Sequence, residues 1–282
     1  MKVIESVADM QQEALALKRA GKRIGFVPTM GYLHEGHLSL IRLARENADV
    51  VVVSVFVNPT QFGPKEDFGK YPRDIERDKQ LCRLEKTDIF FSPPAEEMYA
   101  KDYSVYISDE KLASDLCGAA RPGHFRGVDT VVAKLFNIVQ PDVAVFGEKD
   151  AQQLRIIRRL VRDLNFPIEI IPGPTAREPD GLALSSRNVL LKPEERDDAL
   201  CLRKALLLAE ELYAKGERDA DAIRKAMQKV IDDAKTATVD YIELVDDATL
   251  EPVAKIKGPV LVALAVKFSV TRLIDNTVLG PQ

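Results

Sequence analysis

The chain has few of the features that define several common protein classes. Its 282 residues include only three cysteines, Cys82, Cys117 and Cys201, and their odd number without metal or disulfide spacing fits a reducing cytoplasm. A net charge of −4 gives no basic field that would attract nucleic acid. No apolar leader is expected, and an apolar run at 260–268 is too short to span a bilayer and predicts a strand. With 46% hydrophobic residues, the composition instead favours a globular enzyme that can bury a sizeable core in two domains.

Strands alternate with helices through the first part of the chain. We predict strands at 24–27, 50–57, 89–91, 143–146 and 168–171, and helices from about 38 and at 71–84, 128–139 and 151–164. This alternation predicts an α/β domain, a Rossmann-like, doubly wound and mostly parallel sheet, over 1–175.

The pattern changes after this sheet. Pro172-Gly173-Pro174 predicts a hinge. Helices are then expected at 193–215 and 220–234, and strands at 239–245 and 260–268. The sequence therefore predicts a second, smaller α+β domain over 176–282.

Two of the three histidines, His34 and His37, lie three residues apart immediately after the first of these strands. Gly31 and Gly36 allow close backbone approach, and helical spacing begins at Leu38, which places His37 in the first turn of a helix. Unpaired backbone N–H groups and the positive end of the helix dipole favour an anion at that position. Imidazoles can also donate hydrogen bonds to phosphate oxygens. The loop therefore predicts a phosphate cradle.

Other interpretations of this histidine pair fit less well. Gly31 to His37 resembles a P-loop, but His37 and Leu38 stand where that loop needs lysine and then serine or threonine. A zinc-protease helix needs histidines four residues apart, and neither a cysteine nor the third histidine is nearby. Two surface histidines in a turn remain the plain structural alternative. The strand-to-helix switch favours a ligand site instead, because open α/β sheets bind ligands there.

Three further segments could carry chemistry. The segment 146–150 follows a strand and opens a helix, so Lys149 could hold phosphate as a point charge and Asp150 could cap the helix. The segment 184–188 presents two hydroxyls and an arginine, which suit a polyphosphate, although a structural cap is an equal alternative. The segment 121–127 holds the third histidine between two arginines, where an anion contact and a loop ordered by its own hydrogen bonds are both open.

Taken together, these segments resemble the pantothenate synthetase (pantoate–β-alanine ligase) family, within the HxGH nucleotidylyltransferase superfamily. Five blocks carry the resemblance in this order: PTMGYLHEGH at 28–37, FVNPTQF at 56–62, RPGHFRG at 121–127, FGEKD at 146–150 and REPDGLALSSRN at 177–188. The HxGH motif alone is specific only to the superfamily, whereas the five blocks in this order are specific to the family. Ala176 stands where many relatives carry valine, and Leu184 where some carry methionine; both are apolar changes beside the expected adenine site.

The resemblance implies a ligase that uses ATP to join pantoate to β-alanine through a pantoyl adenylate, giving pantothenate, AMP and pyrophosphate. It assigns the chemistry to His34, His37 and Lys149. It also implies that Gln61 and Gln153 bind pantoate and that Gln61 faces β-alanine. The residues implied to bind ATP are Met30, Gly31, Tyr32, Leu33, His34, Glu35, Gly36, His37, Gly147, Glu148, Lys149, Asp150, Ala176, Leu184, Ser185, Ser186 and Arg187.

The resemblance further implies Mg²⁺ with ATP, a cytoplasmic homodimer, and no nucleic-acid or membrane partner. The protein ligands of the metal stay unknown at this point. One alternative is a nucleotidylyltransferase that leaves an adenylylated or cytidylylated product. Another is a nucleotide-binding module without catalysis, but such a module has no need of a loop for a leaving group. A transfer-RNA ligase is disfavoured by the acidic charge.

Overall fold

The structure is a computed structural model, and it describes residues 1–64, 66 and 68–281. The chain divides into two compact units. The first contains Met1–Glu148 and Gln153–Pro174, and the second contains Lys149–Gln152 and the chain from Thr175 onward. The division into domains 1–175 and 176–282 stays a prediction.

The described part of the first unit contains a six-stranded sheet in which all paired neighbours run parallel. Its strands are β1 (Lys2–Ile4), β2 (Ile24–Thr29), β3 (Val50–Val55), β4 (Ile89–Phe91), β5 (Val143–Gly147) and β6 (Glu169–Gly173), in the order β1-β4-β3-β2-β5-β6. The chain adds β3 and β4 on one side of β2 and then β5 and β6 on the other. The predicted doubly wound, Rossmann-like sheet is therefore confirmed.

Helices cover both faces of this sheet. They are α1 (Val7–Arg19), α2 (Glu35–Asn47), α3 (Ile75–Leu84), α4 (Ala95–Met98), α5 (Cys117–Ala120), α6 (His124–Val139) and α7 (Ala151–Asp163), with short 3-10 turns at Pro59–Gln61, Phe68–Lys70 and Glu148–Asp150. On one face, Ile41 of α2 belongs to a buried cluster with Val53 and Val145. On the other face, the ring of Phe136 in α6 meets that of Phe146 edge-on, and α1 packs beside α6. Alternate residues of each strand thus face different helices.

Several predicted boundaries move for identifiable local reasons. The strand β3 ends at Val55, before the Asn58-Pro59 turn, rather than at 57. Helix α3 begins at Ile75 instead of 71, because Asp74 caps it by accepting a hydrogen bond from Arg77 N. The predicted hinge at 172–174 is wrong for its first two residues, which pair with β5 as part of β6. Because β6 is an edge strand, it tolerates a proline. The elements β1 and α1 were not predicted.

The second unit has its own antiparallel sheet. The described strands β7 (Ala237–Asp246), β8 (Val260–Phe268) and β9 (Thr271–Leu279) pair in this order. Its helices are α8 (Pro193–Asp198), α9 (Cys201–Ala214) and α10 (Ala220–Asp232), with a 3-10 turn at Asn188–Leu190. A buried core joins α9 and α10 to the sheet, which confirms the predicted smaller α+β unit.

One helix predicted at 193–215 is interrupted. Leu200 N donates to Asp197 O and Leu202 N donates to Ala199 O, which are bonds between residues three apart. These tighter turns separate α8 from α9. The strand β9 was not predicted. No helix in the described ranges has the length and apolar character needed to cross a membrane.

Candidate active site

The carboxyl ends of β2, β3 and β5 meet at one edge of the sheet. These strands are neighbours, and the order of the sheet reverses at β2, which is where open α/β sheets bind ligands. The loop after β2 carries Met30 to His34, the turn after β3 carries Gln61, and Gly147 ends β5. Predicted site residues from three separate segments are thereby brought to the same edge.

The two histidines form a reciprocal cap at the beginning of α2. His34 is the N-cap residue, and its Nδ1 accepts from Gly36 N at 3.2 Å. In return, His37 Nδ1 accepts from His34 N at 3.3 Å, and the two rings lie 4.1 Å apart. A ring nitrogen that accepts carries no proton, so each neutral imidazole carries its proton on Nε2. Both rings are thus fixed as Nε2–H donors, as a phosphate cradle requires.

The loop before α2 is held by a buried carboxylate that sequence analysis did not select. Asp78 of α3 is 1% exposed, and its two oxygens accept from Tyr32 N at 2.8 Å and Leu33 N at 2.7 Å. Gly31 has φ +82°, and a Cβ there would lie 2.8 Å from Val55 Cγ1 and 2.9 Å from Asp78 Oδ2. Only glycine fits this conformation beside the sheet and the carboxylate.

Arg77, which precedes Asp78 in α3, also holds the loop before α2. Arg77 Nη1 donates to Leu33 O at 2.8 Å, and its guanidinium lies over the Tyr32 ring, 5.4 Å from the centroid. Burial raises the pKa of Asp78, while its two backbone donors and Arg77 act in the opposite direction. Nothing in the sequence distinguishes Asp78 from the other acidic residues of this charged helix, because its role depends on a loop 45 residues away.

Gln61 is buried and directly linked to the loop that follows β2. Its Nε2 donates to Met30 Sδ at 2.9 Å, and its Oε1 accepts from Asn58 Nδ2 at 3.1 Å. Asn58 is the N-cap of the 3-10 turn, and the Asn-Pro pair is the signal that could have identified it. Gly127 of α6 packs so closely that a Cβ would lie 2.5 Å from Thr60 O. The turn that carries Gln61 is therefore fixed from two sides.

The third histidine holds the backbone of the same turn. His124 Nδ1 lies 2.8 Å from Gln61 O, and His124 Nε2 lies 3.0 Å from Arg121 Nη1. Arg121 also binds both carboxylate oxygens of Glu66, at 2.8 and 2.5 Å. The hydrogen bond from Arg121 lowers the pKa of Glu66, so this pair stays charged. Of the two interpretations left open for 121–127, these contacts support a loop ordered by its own hydrogen bonds.

The FGEKD block is divided between the units. Gly147 and Glu148 belong to the first unit, whereas Lys149 and Asp150 group with the second. There, Asn276 Nδ2 donates to Lys149 O at 2.9 Å, and Lys149 Nζ lies 4.0 Å from Asp150 Oδ1. Gln153 returns to the first unit as the third residue of α7 and is half-buried.

Within the second unit, the structure brings together Ala176 and Leu184, the two residues expected at adenine. Leu184 N donates to Ala176 O at 2.9 Å, at the base of a small hairpin. Arg177 in this hairpin forms a two-pronged ion pair with the buried Asp275, at 2.7 and 3.0 Å. Next along the chain, Ser185 Oγ accepts from Arg187 N at 3.2 Å. Ser186, between them, is 8% exposed.

The described residues do not form a cluster of side chains that could bind a metal ion by themselves. In the described ranges, no group of three or more histidine, cysteine, aspartate or glutamate residues could hold an ion. Asp78, the buried carboxylate beside the loop, already accepts two backbone hydrogen bonds. These residues do not form a dedicated Mg²⁺ site, whereas Mg²⁺ commonly takes most of its ligands from phosphates and water.

Known proteins resemble this chain along its whole length. A model of the Pantoate-beta-alanine ligase family matches residues 2–278. Pantothenate synthetase from Thermotoga petrophila is 58% identical over 280 residues, which are 99% of this chain and 100% of the relative. The crystal structure of pantothenate synthetase from Thermus thermophilus has a TM-score of 0.95 and 46% identity, and covers 100% of both chains. Pantoate-beta-alanine ligase from Francisella tularensis, complexed with beta-gamma ATP and beta-alanine, has a TM-score of 0.81 and 33% identity, also over 100% of both chains.

Proposed function

Because the chain belongs to the pantoate–β-alanine ligase family, we propose that it condenses (R)-pantoate with β-alanine, using ATP. The products are pantothenate, AMP and pyrophosphate. The observation that carries this proposal is the reciprocal histidine cap of α2, because it fixes two Nε2–H donors that follow the loop residue Met30, which Gln61 contacts. The proposed phosphate donors and the proposed amide for a small acid follow strands that end at one edge of the sheet.

The first step activates the acid. A carboxylate is a poor acyl donor, because oxide would have to leave. A carboxylate oxygen of pantoate attacks the α-phosphorus of ATP, and the bond to the bridging oxygen breaks, releasing pyrophosphate and leaving pantoyl adenylate. Negative charge grows on the α-phosphoryl oxygens and on the leaving β-phosphate. In this proposal His34 and His37 donate hydrogen bonds to those oxygens, and Lys149 supplies a positive charge.

The second step forms the amide. The neutral amine of β-alanine attacks the acyl carbon of the adenylate, and the carbon–oxygen bond to AMP breaks. The amine loses a proton as the amide forms, and the AMP phosphate leaves as an anion. A neutral amine held beside a mixed anhydride needs mainly proximity, so no nucleophilic cysteine is required. The three cysteines agree with this, because all are buried.

The binding residues are proposed as the family resemblance assigns them. Pantoate binds Gln61 and Gln153, and Gln61 also faces β-alanine. ATP binds Met30 to His37, Gly147 to Asp150, Ala176 and Leu184 to Arg187. The Francisella tularensis relative, crystallised with beta-gamma ATP and beta-alanine, supports this use of a nucleotide and an amine.

We also propose that Mg²⁺ accompanies ATP, that the chain is a homodimer and that it works in the cytoplasm. Bound with the nucleotide, Mg²⁺ would offset polyphosphate charge, and no step here depends on a protein ligand to it. The buried thiols fit a reducing compartment.

Product analysis tests the function. The purified chain is incubated with ATP, pantoate and β-alanine, and the products are separated by chromatography and identified by mass. Pantothenate and AMP in equal amounts are expected. A stable adenylylated product would instead indicate a nucleotidylyltransferase.

The order of the steps has its own test. With ATP, Mg²⁺ and pantoate but no β-alanine, labelled pyrophosphate should exchange into ATP. The exchange should depend on pantoate, because the α-phosphorus otherwise has no nucleophile. If pyrophosphate release is reversible and no pantoate-dependent exchange occurs, a concerted reaction of three substrates replaces the two-step mechanism.

A further inference from the structure

A series of hydrogen bonds behind Gln61 fixes the orientation of its side-chain amide. The amide of Asn58 can be oriented, because its Oδ1 accepts from the backbone N–H of Thr60 at 3.3 Å and from the Thr60 hydroxyl at 2.9 Å. Its Nδ2 then faces two groups, Gly127 O at 3.0 Å and the Gln61 side chain at 3.1 Å. Since an NH₂ group faces Gln61, the Gln61 atom on that side must be the acceptor Oε1. Gln61 therefore presents its NH₂ on the other side, toward Met30.

Tyr99 is the first residue in this series of hydrogen bonds, which runs through Asn58 to Gln61. Its hydroxyl donates to Asn58 Oδ1 at 2.8 Å, the shortest hydrogen bond that this oxygen accepts, and lies 3.3 Å from Thr60 Oγ1. Burial raises the pKa of Tyr99, so the hydroxyl stays protonated and remains a donor. The ring is held between Phe56, at 6.2 Å, and Tyr103, at 4.8 Å between centroids.

We propose that Tyr99 is a positioning residue for the acid substrate. Together with Thr60 and Gly127 it holds the Asn58 amide, and through Asn58 it keeps the NH₂ of Gln61 on the side of Met30, where we place the acid. A carboxylate or hydroxyl oxygen of a small acid needs a donor, and the flipped amide would present a carbonyl oxygen to it. The inference rests on the proposed role of Gln61 in binding pantoate. Tyr99 lies far from Gln61 in the sequence, and nothing in its spacing indicates this role.

The test is a double-mutant cycle on the full chain, with Tyr99→Phe, Gln61→Ala and the two combined. Tyr99→Phe removes only the hydroxyl and keeps the ring in place. Pantothenate formation is measured against pantoate concentration at saturating ATP and β-alanine, and then against ATP. Tyr103→Phe is the matched control, because it removes a hydroxyl from the adjacent stacked ring that makes no described bond to Asn58.

We expect Tyr99→Phe to raise the KM for pantoate roughly 3- to 10-fold, the range for one net hydrogen bond, and to leave the KM for ATP unchanged. In the Gln61→Ala background, Tyr99→Phe should have no further effect, because the group that it orients is gone. Tyr103→Phe should resemble the wild type. Circular dichroism melting reports whether each variant is folded.

Three results would overturn the proposal. An unchanged pantoate KM in Tyr99→Phe would mean that the hydroxyl orients nothing. An equal loss with and without Gln61 would mean that Tyr99 acts by another route. In both cases pantothenate is still formed and Gln61→Ala still impairs pantoate use, so the proposed function stands. If Gln61→Ala leaves the pantoate KM unchanged, the proposed acid site is itself wrong and the positioning role is lost with it.

The polarity of the amide can be tested separately with Gln61→Glu. One carboxylate oxygen can still accept from Asn58, but the second replaces the NH₂ group and would repel an acid. We expect a higher pantoate KM than in Gln61→Ala. A pantoate KM equal to that of the wild type would show that no donor is needed at this position and would overturn the proposal.

Discussion

The pH dependence of stability should reveal one buried carboxyl group, Asp129 of α6. Its side chain is 1% exposed, and Oδ2 accepts from Asp109 N at 2.9 Å. Among the described residues, Oδ1 has no hydrogen-bond partner. Burial raises the pKa of Asp129 from 3.8 to about 7, and the Asp109 charge acts in the same direction.

The sign of the effect follows from proton binding. Between pH 3.8 and about 7 the folded chain keeps a proton on Asp129 that the unfolded chain has released, so the free energy of unfolding falls as pH rises. Each pH unit in this window lowers the free energy of unfolding by about 1.4 kcal/mol. Relative to its value below pH 3.8, the free energy of unfolding is therefore lower by about 2 kcal/mol at pH 5 and about 4 kcal/mol at pH 8. Asp129→Asn cannot ionise, and its amide oxygen can still accept from Asp109 N.

Urea unfolding followed by circular dichroism, at pH 5 and pH 8 and at one protein concentration, checks this prediction. The stability of Asp129→Asn relative to the wild type should increase by about 2–3 kcal/mol from pH 5 to pH 8. Glu110→Gln, an exposed change in the neighbouring loop, should show no such increase. The reasoning about burial is refuted if the difference between Asp129→Asn and the wild type is the same at both pH values.

Three further predictions concern the site. His34→Ala and His37→Ala should each slow single-turnover adenylate formation by about 10²–10³-fold, since each removes a donor at the phosphates, and near-normal rates would contradict the cradle. Asp78→Asn places an NH₂ group against one of the two backbone N–H groups that Asp78 now accepts from. Thermal melts should therefore show that the free energy of unfolding falls by about 1–3 kcal/mol, and adenylation should slow because the loop before α2 loses its anchor. Gly127→Ala should lower the free energy of unfolding by about 1–3 kcal/mol and weaken pantoate use, because the new Cβ meets backbone atoms. Gly258→Ala, where a Cβ meets nothing within 4 Å, should change neither property. Equal effects of the two substitutions would contradict this packing argument.

Local sequence signals were sufficient for most elements and for the histidine loop. The strands β2, β3 and β5 are runs of apolar and β-branched residues, and such runs are stable only when buried between helices. The cap formed by His34 and His37 depends on residues within one turn of each other, so their spacing carried the information. The other site residues were assigned by the family resemblance rather than by local spacing, and their roles remain predictions.

What surrounds those motifs could not be predicted from local patterns. The short β1 and the terminal β9 exist because they pair with β4 and β8, and three residues such as Lys2–Ile4 carry too little periodicity to indicate a strand. The predicted hinge became part of β6 for the same reason, because pairing with β5 outweighs the turn preference of Pro172 and Gly173.

Residues close together in the chain are enough to specify the alternation of strands and helices, the glycine-bearing loop, the two histidines at a helix start and the family to which these belong. Long-range packing alone establishes that Asp78 anchors that loop, that His124 holds the backbone of Gln61 and that Tyr99 contacts Asn58 behind the Gln61 amide. The difference arises from distance along the chain. Capping and periodicity act within a few residues, whereas burial and hydrogen bonding of these side chains depend on partners 41 to 63 residues away, which only the packed fold brings together.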